Sequence, residues 1–273
     1  MKDVSFGQYI PHKSFVHNMD ARVKILLAIA YIVAVFLVKS FHFLGFASCL
    51  LFVIIATICS KVSFFRVLKS IKAIMFFIIL SAVLQLFFNT DGKVVLEWKF
   101  IKFTDHGLLN AGFITARIAL IVLGASLLTF TTSPVELADG IESLLTPLKW
   151  IKFPVHEFAL IMSIALRFIP TLLDETDRII KAQKARGANF DTGNVFKRAK
   201  ALIPVLIPLL ISSFKRANEL ADAMDARCYS GSKNRTKFKK MRLTWRDLLG
   251  TILTAGLIVG VVFLNKFYWL LVI

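Results

Sequence analysis

Two short stretches repeat the same residue types, KAQKARG ending at Gly187 and DAMDARC ending at Cys228. Each closes a charged amphipathic segment with a small residue followed by an arginine. A small residue permits close backbone approach, and an arginine guanidinium binds acidic groups through several coplanar donors. The pattern predicts two docking tips that insert into grooves of partner proteins. The two tips are at Ala185–Arg186 and Ala226–Arg227.

Helix capping is the alternative explanation for either stretch alone, because a cation in the last helical turn and a glycine just after it both stabilise helix ends. When Arg186 is aligned with Arg227, Ala182 also matches Ala223. Capping does not require alanine beside the arginine or the same register twice, so the repeat favours docking. The second copy has Cys228 where the first has glycine, and we expect a turn through residues 229–231 to end that helix.

Other residues that could do chemistry form no recognisable site. The chain has no Gly-x-x-x-x-Gly-Lys-Ser/Thr phosphate loop, so any ATP would be hydrolysed by a partner. Its five histidines and three cysteines lack the spacing of a metal site or a disulfide framework, and His17 is expected to order the N-terminal turn. The sequence therefore predicts a protein that is not an enzyme, with no catalytic residue, no metal site and no cofactor bound by this chain.

The apolar residues predict a membrane protein of all-α class. They make up 57% of the 273 residues and occur in long blocks, and the mean hydropathy is +0.71. The N-terminal stretch lacks the apolar region and cleavage site of a signal peptide, so we expect it to stay attached. We expect about five transmembrane helices, at 25–38, 41–59, 73–88, 108–130 and 248–264.

The positive charge predicts the orientation of the chain. The formal net charge is +17, and residues 178–246 alone carry 17 Lys/Arg against four acids, a net of +13 (17 − 4). Concentration between apolar blocks is typical of the positive-inside rule and argues against a nucleic-acid partner. We therefore expect a cytoplasmic N-terminus, a cytoplasmic loop with the basic residues of 61–72, and an external connection at 89–107. The predicted domains are 1–132 (N-terminal segment and four spans), 133–246 (a cytoplasmic or interfacial helical domain) and 247–273 (the last span).

Within the predicted helical domain, two amphipathic helices lead to the arginine tips, and ALIPVLIPLLI at 201–211 lies between them. This segment is too short to span and contains two prolines, so we expect a separate kinked helix at the membrane surface. The apolar faces of the amphipathic helices predict a platform for another membrane subunit, although burial within this chain would also explain them. The platform residues are Leu172, Ile179, Phe214 and Met224.

Four stretches resemble a known family. They are the pattern Ser14-x-x-His17-x-x-Asp20-x-Arg22-x-Lys24, TTSPVELADGIESLLTPLK, FPVHEFALIMSIALRFIPTLLDETDRIIKAQKARGANF and ANELADAMDARCYSG. Together they resemble the transmembrane T component of energy-coupling factor (ECF) vitamin transporters, over nearly the whole chain. The resemblance implies a multi-pass protein of the bacterial cell membrane. It also implies that the two arginine tips end coupling helices, each docking in a groove of one of two ABC-type ATPases that bind ATP and Mg²⁺.

The resemblance further implies that a membrane-embedded substrate-binding subunit sits on the platform and reorients to release a vitamin inside the cell. Two other functions remain open from the residues alone. One is a polytopic membrane enzyme acting on an anionic lipid, with Asp174 and Asp177 supplying acids or Mg²⁺ ligands. The other is a secondary transporter, for which the spans offer few polar residues. Arg117, inside the fourth span, is expected to have a structural role near the outer end.

Overall fold

A computed structural model describes residues 9–39, 42–88, 94–98, 101–151, 154–188, 190, 194–229, 231 and 243–271. By contacts the chain divides into two compact units, Met1–Ser143 with Lys240–Ile273 (the membrane unit) and Leu144–Lys239 (the helical-pair unit). The described helices are α1 (Ala21–Leu37), α2 (Phe43–Ser60), α3 (Phe64–Phe88), α4 (Asp105–Thr131), α5 (Pro134–Leu145), α6 (Val155–Ala185), α7 (Val195–Ala226) and α8 (Trp245–Leu271), with a 3₁₀ segment at Thr146–Ile151.

The predicted all-α polytopic class is confirmed. Among the described residues, six helices (α2, α3, α4, α6, α7 and α8) are long and apolar enough to cross a membrane. Helix α3 begins at Phe64 rather than at 73, so Arg66, Lys69 and Lys72 belong to its first turns and not to a loop. The apolar residues between these charges keep helical spacing, and Val67 is fully buried, so packing extends the helix beyond the apolar block.

A short β-hairpin occupies the connection between α3 and α4. Strands β1 (Val94–Trp98) and β2 (Ile101–Thr104) pair antiparallel, with Glu97 opposite Lys102. The sequence predicts an external connection here and does not predict strands. Residues 89–93 and 99–100 of that connection lie outside the described part of the chain. The hairpin is a small addition to an otherwise helical fold.

Helices α1 and α8, the first and last of the chain, run side by side in the same direction. At their starts, the backbone N–H of Asp20 donates to Asp247 Oδ1 at 2.8 Å. At their far ends, Asn265 Nδ2 donates to the carbonyl of Leu37 at 2.7 Å. The 17 residues of α1 extend about 26 Å at ~1.5 Å per residue, close to the thickness of a bilayer's hydrocarbon core. Helix α1 is therefore long enough to span alongside α8.

A set of polar contacts, which we call the N-terminal latch, is formed by residues 10–24, Thr131 and Asp247. Lys24 is buried in the first turn of α1, and its Nζ donates to the carbonyls of His17 and Thr131, both at 3.0 Å. Thr131 is the last residue of α4, so the lysine joins the start of α1 to the end of α4. The latch thereby places three helix ends at one face of the membrane unit.

His17 orders the turn before α1, as predicted. Its Nε2 lies 2.9 Å from the carbonyl of Ile10, which can only accept, so Nε2 carries the proton. Its Nδ1 then accepts from the Ser14 hydroxyl at 2.7 Å. Burial lowers the pKa of His17 and favours this neutral ring. The Ser-x-x-His part of the N-terminal pattern is thus a folded turn.

The centre of the membrane unit depends on a close approach between α1 and α4. The Tyr31 ring lies over Gly124, where an added Cβ would meet ring atoms at 2.3 and 2.5 Å. The ring also stacks on Phe52 of α2, with centroids 5.6 Å apart, and its hydroxyl donates to the carbonyl of Leu120 at 3.3 Å. These contacts hold the ring against α4, so it cannot move aside without losing them.

We expect Gly124→Ala to destabilise the membrane unit by about 1–3 kcal/mol, because the new methyl group overlaps a ring that is held on two sides. The measurement is thermal unfolding of the detergent-solubilised protein. Gly112→Ala, on the same helix, is the matched control, since nothing lies within 4 Å of its added Cβ. Equal melting temperatures for the two variants would show that the approach of Tyr31 to Gly124 does not limit packing.

Candidate functional site

The helical-pair unit contains two long helices, α6 and α7, and the predicted separate helix at 201–211 is wrong. That segment lies inside the 32-residue helix α7, which continues through Pro204 and Pro208. Pro208 has no N–H, so the carbonyl four residues earlier, at Pro204, loses its helical partner. Gln183 of α6 supplies a donor to that carbonyl, with Nε2 at 3.4 Å. A contact between the helices therefore compensates for one of the two prolines.

Helices α6 and α7 run in opposite directions along their contact. Glu175 of α6 meets Ser212 and Arg216 of α7, whereas Gln183, farther along α6, meets Pro204, which is earlier in α7. Arg216 Nη2 lies 2.6 Å from Glu175 Oε2, and the Ser212 hydroxyl donates to Oε1 of the same carboxylate. The ends of α6 and α7 consequently lie at opposite ends of the pair.

Both helices end in the same backbone motif. At the end of α6, Gly187 has φ +88, its N–H donates to the Lys184 carbonyl, and the Ala188 N–H donates to the Gln183 carbonyl, both at 3.0 Å. At the end of α7, Cys228 has φ +56, and the equivalent bonds run from Cys228 to Asp225 and from Tyr229 to Met224, at 2.9 and 3.0 Å. This is the Schellman arrangement of helix ends. The repeat found in the sequence is thus a repeat in backbone structure.

Cys228 itself takes the positive φ that closes α7. The turn predicted at residues 229–231 includes Ser230, which lies outside the described residues. A non-glycine residue with positive φ is unusual and costs about 1 kcal/mol or more. The Schellman bonds at the end of α7 hold Cys228 in this conformation. Cysteine therefore occupies the position that glycine has in the first copy, at some cost in backbone strain.

Reciprocal substitutions test this interpretation of the caps. We expect Cys228→Gly to stabilise the protein by about 0.5–1 kcal/mol, because glycine adopts positive φ without strain. We expect Gly187→Cys to destabilise it by a similar amount, since Gly187 has φ +88. Thermal unfolding of both variants is the measurement. A Cys228→Gly protein less stable than the wild type would mean that the thiol, rather than the backbone, matters at this position.

The arginines that precede these caps are available to a partner. Ala185, Arg186, Ala226 and Arg227 are all exposed. Within the described part of the chain, neither arginine side chain makes a hydrogen bond or an ion pair. Each tip therefore presents a free guanidinium beside a small residue and a rigid turn. The geometry allows the docking that the sequence predicts, and docking itself stays a prediction.

The predicted platform residues are only partly on a free surface. Phe214 is 63% exposed, whereas Leu172, Ile179 and Met224 are half-buried. A longer exposed row lies on α7, which the sequence does not predict when 201–211 is interpreted as a separate kinked helix. We call this row the exposed apolar stripe, and it consists of Phe196, Ile203, Ile207, Leu210 and Phe214. Its successive members are seven, four, three and four residues apart, so they share one face of the helix.

Arg117 has a structural role, as expected. Its Nη2 donates to the Val38 carbonyl just beyond the end of α1, at 2.6 Å, and its guanidinium lies over the Phe46 ring at 5.7 Å. It thereby joins α4 to the ends of α1 and α2. Among the described residues, no group of three or more His, Cys, Asp and Glu side chains could hold a metal ion, and Asp174 lies exposed on α6.

A sequence model of the CbiQ family, described as "Cobalt transport protein", matches residues 12–238, which is most of the chain. The chain belongs to the CbiQ family. Among its relatives, the "Energy-coupling factor transporter transmembrane protein EcfT" of Clostridium kluyveri is 47% identical over 270 residues, 98% of this chain and 99% of the relative. Proteins of the same name from Ruminiclostridium cellulolyticum and Lactococcus lactis subsp. cremoris are 45% and 43% identical, over 98% and 91% of this chain and 100% and 93% of theirs.

These relatives confirm the family resemblance drawn from the sequence. The chain is a multi-pass membrane protein and a non-catalytic transmembrane component of an energy-coupling factor transporter. The interpretation as an enzyme acting on an anionic lipid finds no support in the family. Membership of the family does not by itself assign a role to the arginine tips or to the exposed apolar stripe.

Proposed function

We propose that this chain couples ATP hydrolysis by two ABC-type ATPase subunits to reorientation of a membrane-embedded substrate-binding subunit during vitamin uptake. The observation that carries the proposal is the pair of identical Schellman ends at Gly187 and Cys228, each preceded by a free, exposed arginine. Two equal tips at opposite ends of one helix pair suit two similar partners. ATP and Mg²⁺ would be bound by those partners and not by this chain.

Each tip would dock through its arginine and its shape. The Schellman turn ends the helix abruptly, so the exposed Ala185 or Ala226 can enter a groove with the arginine beside it. An acidic groove would pair with the guanidinium through two or more charge-assisted hydrogen bonds. Ala185, Arg186, Gly187 and their counterparts Ala226, Arg227 and Cys228 are the proposed docking residues.

We place the N-terminus and the helical-pair unit in the cytoplasm of a bacterial cell. The latch brings the start of α1, the end of α4 and the start of α8 to one face of the membrane unit. Positive charge is concentrated shortly before and at the start of α8, with a net of +13 (17 − 4) over residues 178–246. Basic segments beside spans stay on the cytoplasmic side. An even number of membrane crossings from the start of α1 to the end of α4 would put these two helix ends on the same side of the membrane, which is consistent with this placement.

The exposed apolar stripe is the proposed contact with the substrate-binding subunit. It runs along α7 from Phe196 to Phe214, which is about 27 Å of helix. Apolar rows of this length do not remain in water without a partner or a lipid surface. Of the four residues first predicted as the platform, Phe214 lies in the stripe, and Leu172, Ile179 and Met224 would contribute from half-buried positions beside it.

Purification of the tagged full-length chain from its own membranes tests the proposal. We expect two ATPase subunits with phosphate loops and one membrane subunit to copurify in fixed ratio, and vitamin uptake to fail when the gene is deleted. Vesicles that contain the purified complex should take up vitamin only with ATP and Mg²⁺. Uptake by the chain alone, driven by an ion gradient, would instead support a secondary transporter and contradict the proposal.

A further inference from the structure

We propose that the Glu175–Arg216 ion pair holds the point at which α6 and α7 cross, so that the two helices turn about it and the movement of one arginine tip is transmitted to the other. The inference rests on the proposed function, because it assigns the pair a role between two docking tips. It concerns residues that the docking motifs do not include. It names Glu175 and Arg216 as positioning residues, with Ser212 as their support.

The position of the pair follows the internal repeat. The alignment that places Arg186 on Arg227 also places Glu175 on Arg216, since both pairs have the same separation along the chain (227 − 186 = 216 − 175). The two members of the ion pair are therefore equivalent positions in the two copies. Equivalent positions in two antiparallel helices can touch only where the helices cross at the local two-fold axis. The repeat and the contact thus locate the axis of the helical pair at this ion pair.

The two arms on either side of the pair are equal in length. Arg186 lies as far beyond Glu175 as Arg227 lies beyond Arg216 (186 − 175 = 227 − 216). At ~1.5 Å per residue each arm is about 16 Å long, and the antiparallel arrangement puts the tips roughly 30 Å apart. A rotation about the ion pair would move both tips by the same amount. Because the two arms have the same length, two equivalent partners would act on the helical pair equally.

The contacts of Glu175 fit a pivot better than an incidental surface contact. Both carboxylate oxygens are used, Oε2 by Arg216 and Oε1 by Ser212, so the carboxylate is oriented by two donors from one helix. Arg216 and Glu175 are 35% and 22% exposed at their side chains. Of the ion pairs that join described residues, this is the one between α6 and α7. By comparison, Lys215–Glu219 lies along α7 alone, at 4.0 Å and well exposed.

Stability is not the main contribution of such a pair. Partly exposed ion pairs contribute little to stability, because solvent screens them and side-chain entropy opposes them. Their geometry is directional, since a guanidinium and a carboxylate pair in a planar fork. Loss of the pair should therefore leave both helices folded and let the point at which they cross shift.

The test uses the full complex in lipid vesicles, with Arg216→Gln compared to the matched control Lys215→Gln. Spin labels attached through a ketone-bearing non-natural amino acid at positions 181 and 222, which are exposed and equivalent in the two copies, report the distance between the arms and leave the cysteines of the chain unchanged. We expect Arg216→Gln to retain bound ATPase, to broaden the distance distribution, and to lower vitamin uptake per ATP hydrolysed about tenfold. Lys215→Gln should change none of these.

Charge reversal distinguishes a pivot from a general loss of folding. We expect the double variant Glu175→Arg, Arg216→Glu to restore the narrow distance distribution and most of the uptake, because the pair is remade with its charges exchanged. If the double variant behaves like Arg216→Gln, or if Arg216→Gln behaves like Lys215→Gln, the pivot is overturned. The docking proposal fails separately, when substitutions at Arg186 and Arg227 leave ATPase binding and uptake intact.

Discussion

Arg186→Glu and Arg227→Glu should each reduce bound ATPase and vitamin uptake by at least about tenfold, and the double variant should retain neither. Each guanidinium is exposed and makes no hydrogen bond or ion pair within the described part of the chain. In an acidic groove, reversal of its charge replaces paired hydrogen bonds with repulsion, and truncation of such pairs costs about 2–5 kcal/mol. The measurements are copurification of ATPase subunits and ATP-dependent uptake into vesicles.

Lys181→Glu is the matched control for the tips, because it makes the same charge change at an exposed position of α6, more than one helical turn before Arg186. We expect it to leave ATPase binding within about twofold of the wild type, since exposed charges distant from an interface act weakly. Full binding and uptake in the double tip variant would reduce both arginines to helix caps. Equal losses in Lys181→Glu and Arg186→Glu would show that net charge, and not the tip, controls docking.

Asp247→Ala should cause the largest loss of stability in the membrane unit. Asp247 is 2% exposed, and its two oxygens accept the N–H groups of Asp20 at 2.8 Å and Thr244 at 2.7 Å. Alanine would remove the acceptor of two partly buried N–H groups, and it would remove a negative charge from the N-terminal turn of α8. We expect a loss of about 2–5 kcal/mol and a melting temperature lower by roughly 5–15 °C in detergent.

Two variants accompany that measurement. Asp247→Asn keeps one accepting oxygen, so we expect an intermediate melting temperature. Arg246→Ala, at the neighbouring half-exposed position, should change the melting temperature by less than about 2 °C, as surface substitutions usually do. If Asp247→Ala and Arg246→Ala have the same melting temperature, then the contact between the starts of α1 and α8 does not hold the membrane unit together.

The local sequence pattern is sufficient to predict much of the structure of this protein. Length and hydropathy of the apolar blocks predicted the all-α membrane class, because a bilayer demands long apolar helices. The Ala-Arg repeat predicted two equal helix ends, and Gly187 has the positive φ that a helix-ending glycine requires. His17 predicted an ordered turn. In each case neighbours in sequence decide the structure.

Contacts between distant residues were beyond the sequence analysis. Nothing near Pro208 indicates that Gln183, on another helix, donates to the Pro204 carbonyl, so the two prolines alone predict a break in the helix. The extension of α3 to Phe64 was missed for a similar reason, because burial of Val67 depends on packing within the membrane unit. The equivalence of Glu175 and Arg216 is present in the repeat, but only their contact shows its meaning.

The pairing of the first helix with the last has a consequence for how the protein is made. Asp20 and Asp247 are 227 positions apart, so a ribosome must synthesise all the intervening residues before α1 can meet α8. Until then, the start of α1 must remain in the membrane without its neighbour, with the Asp20 N–H unpaired. Insertion of the nascent chain and closure of the membrane unit are therefore separate events, and a polypeptide truncated before α8 would reach the membrane without completing its fold.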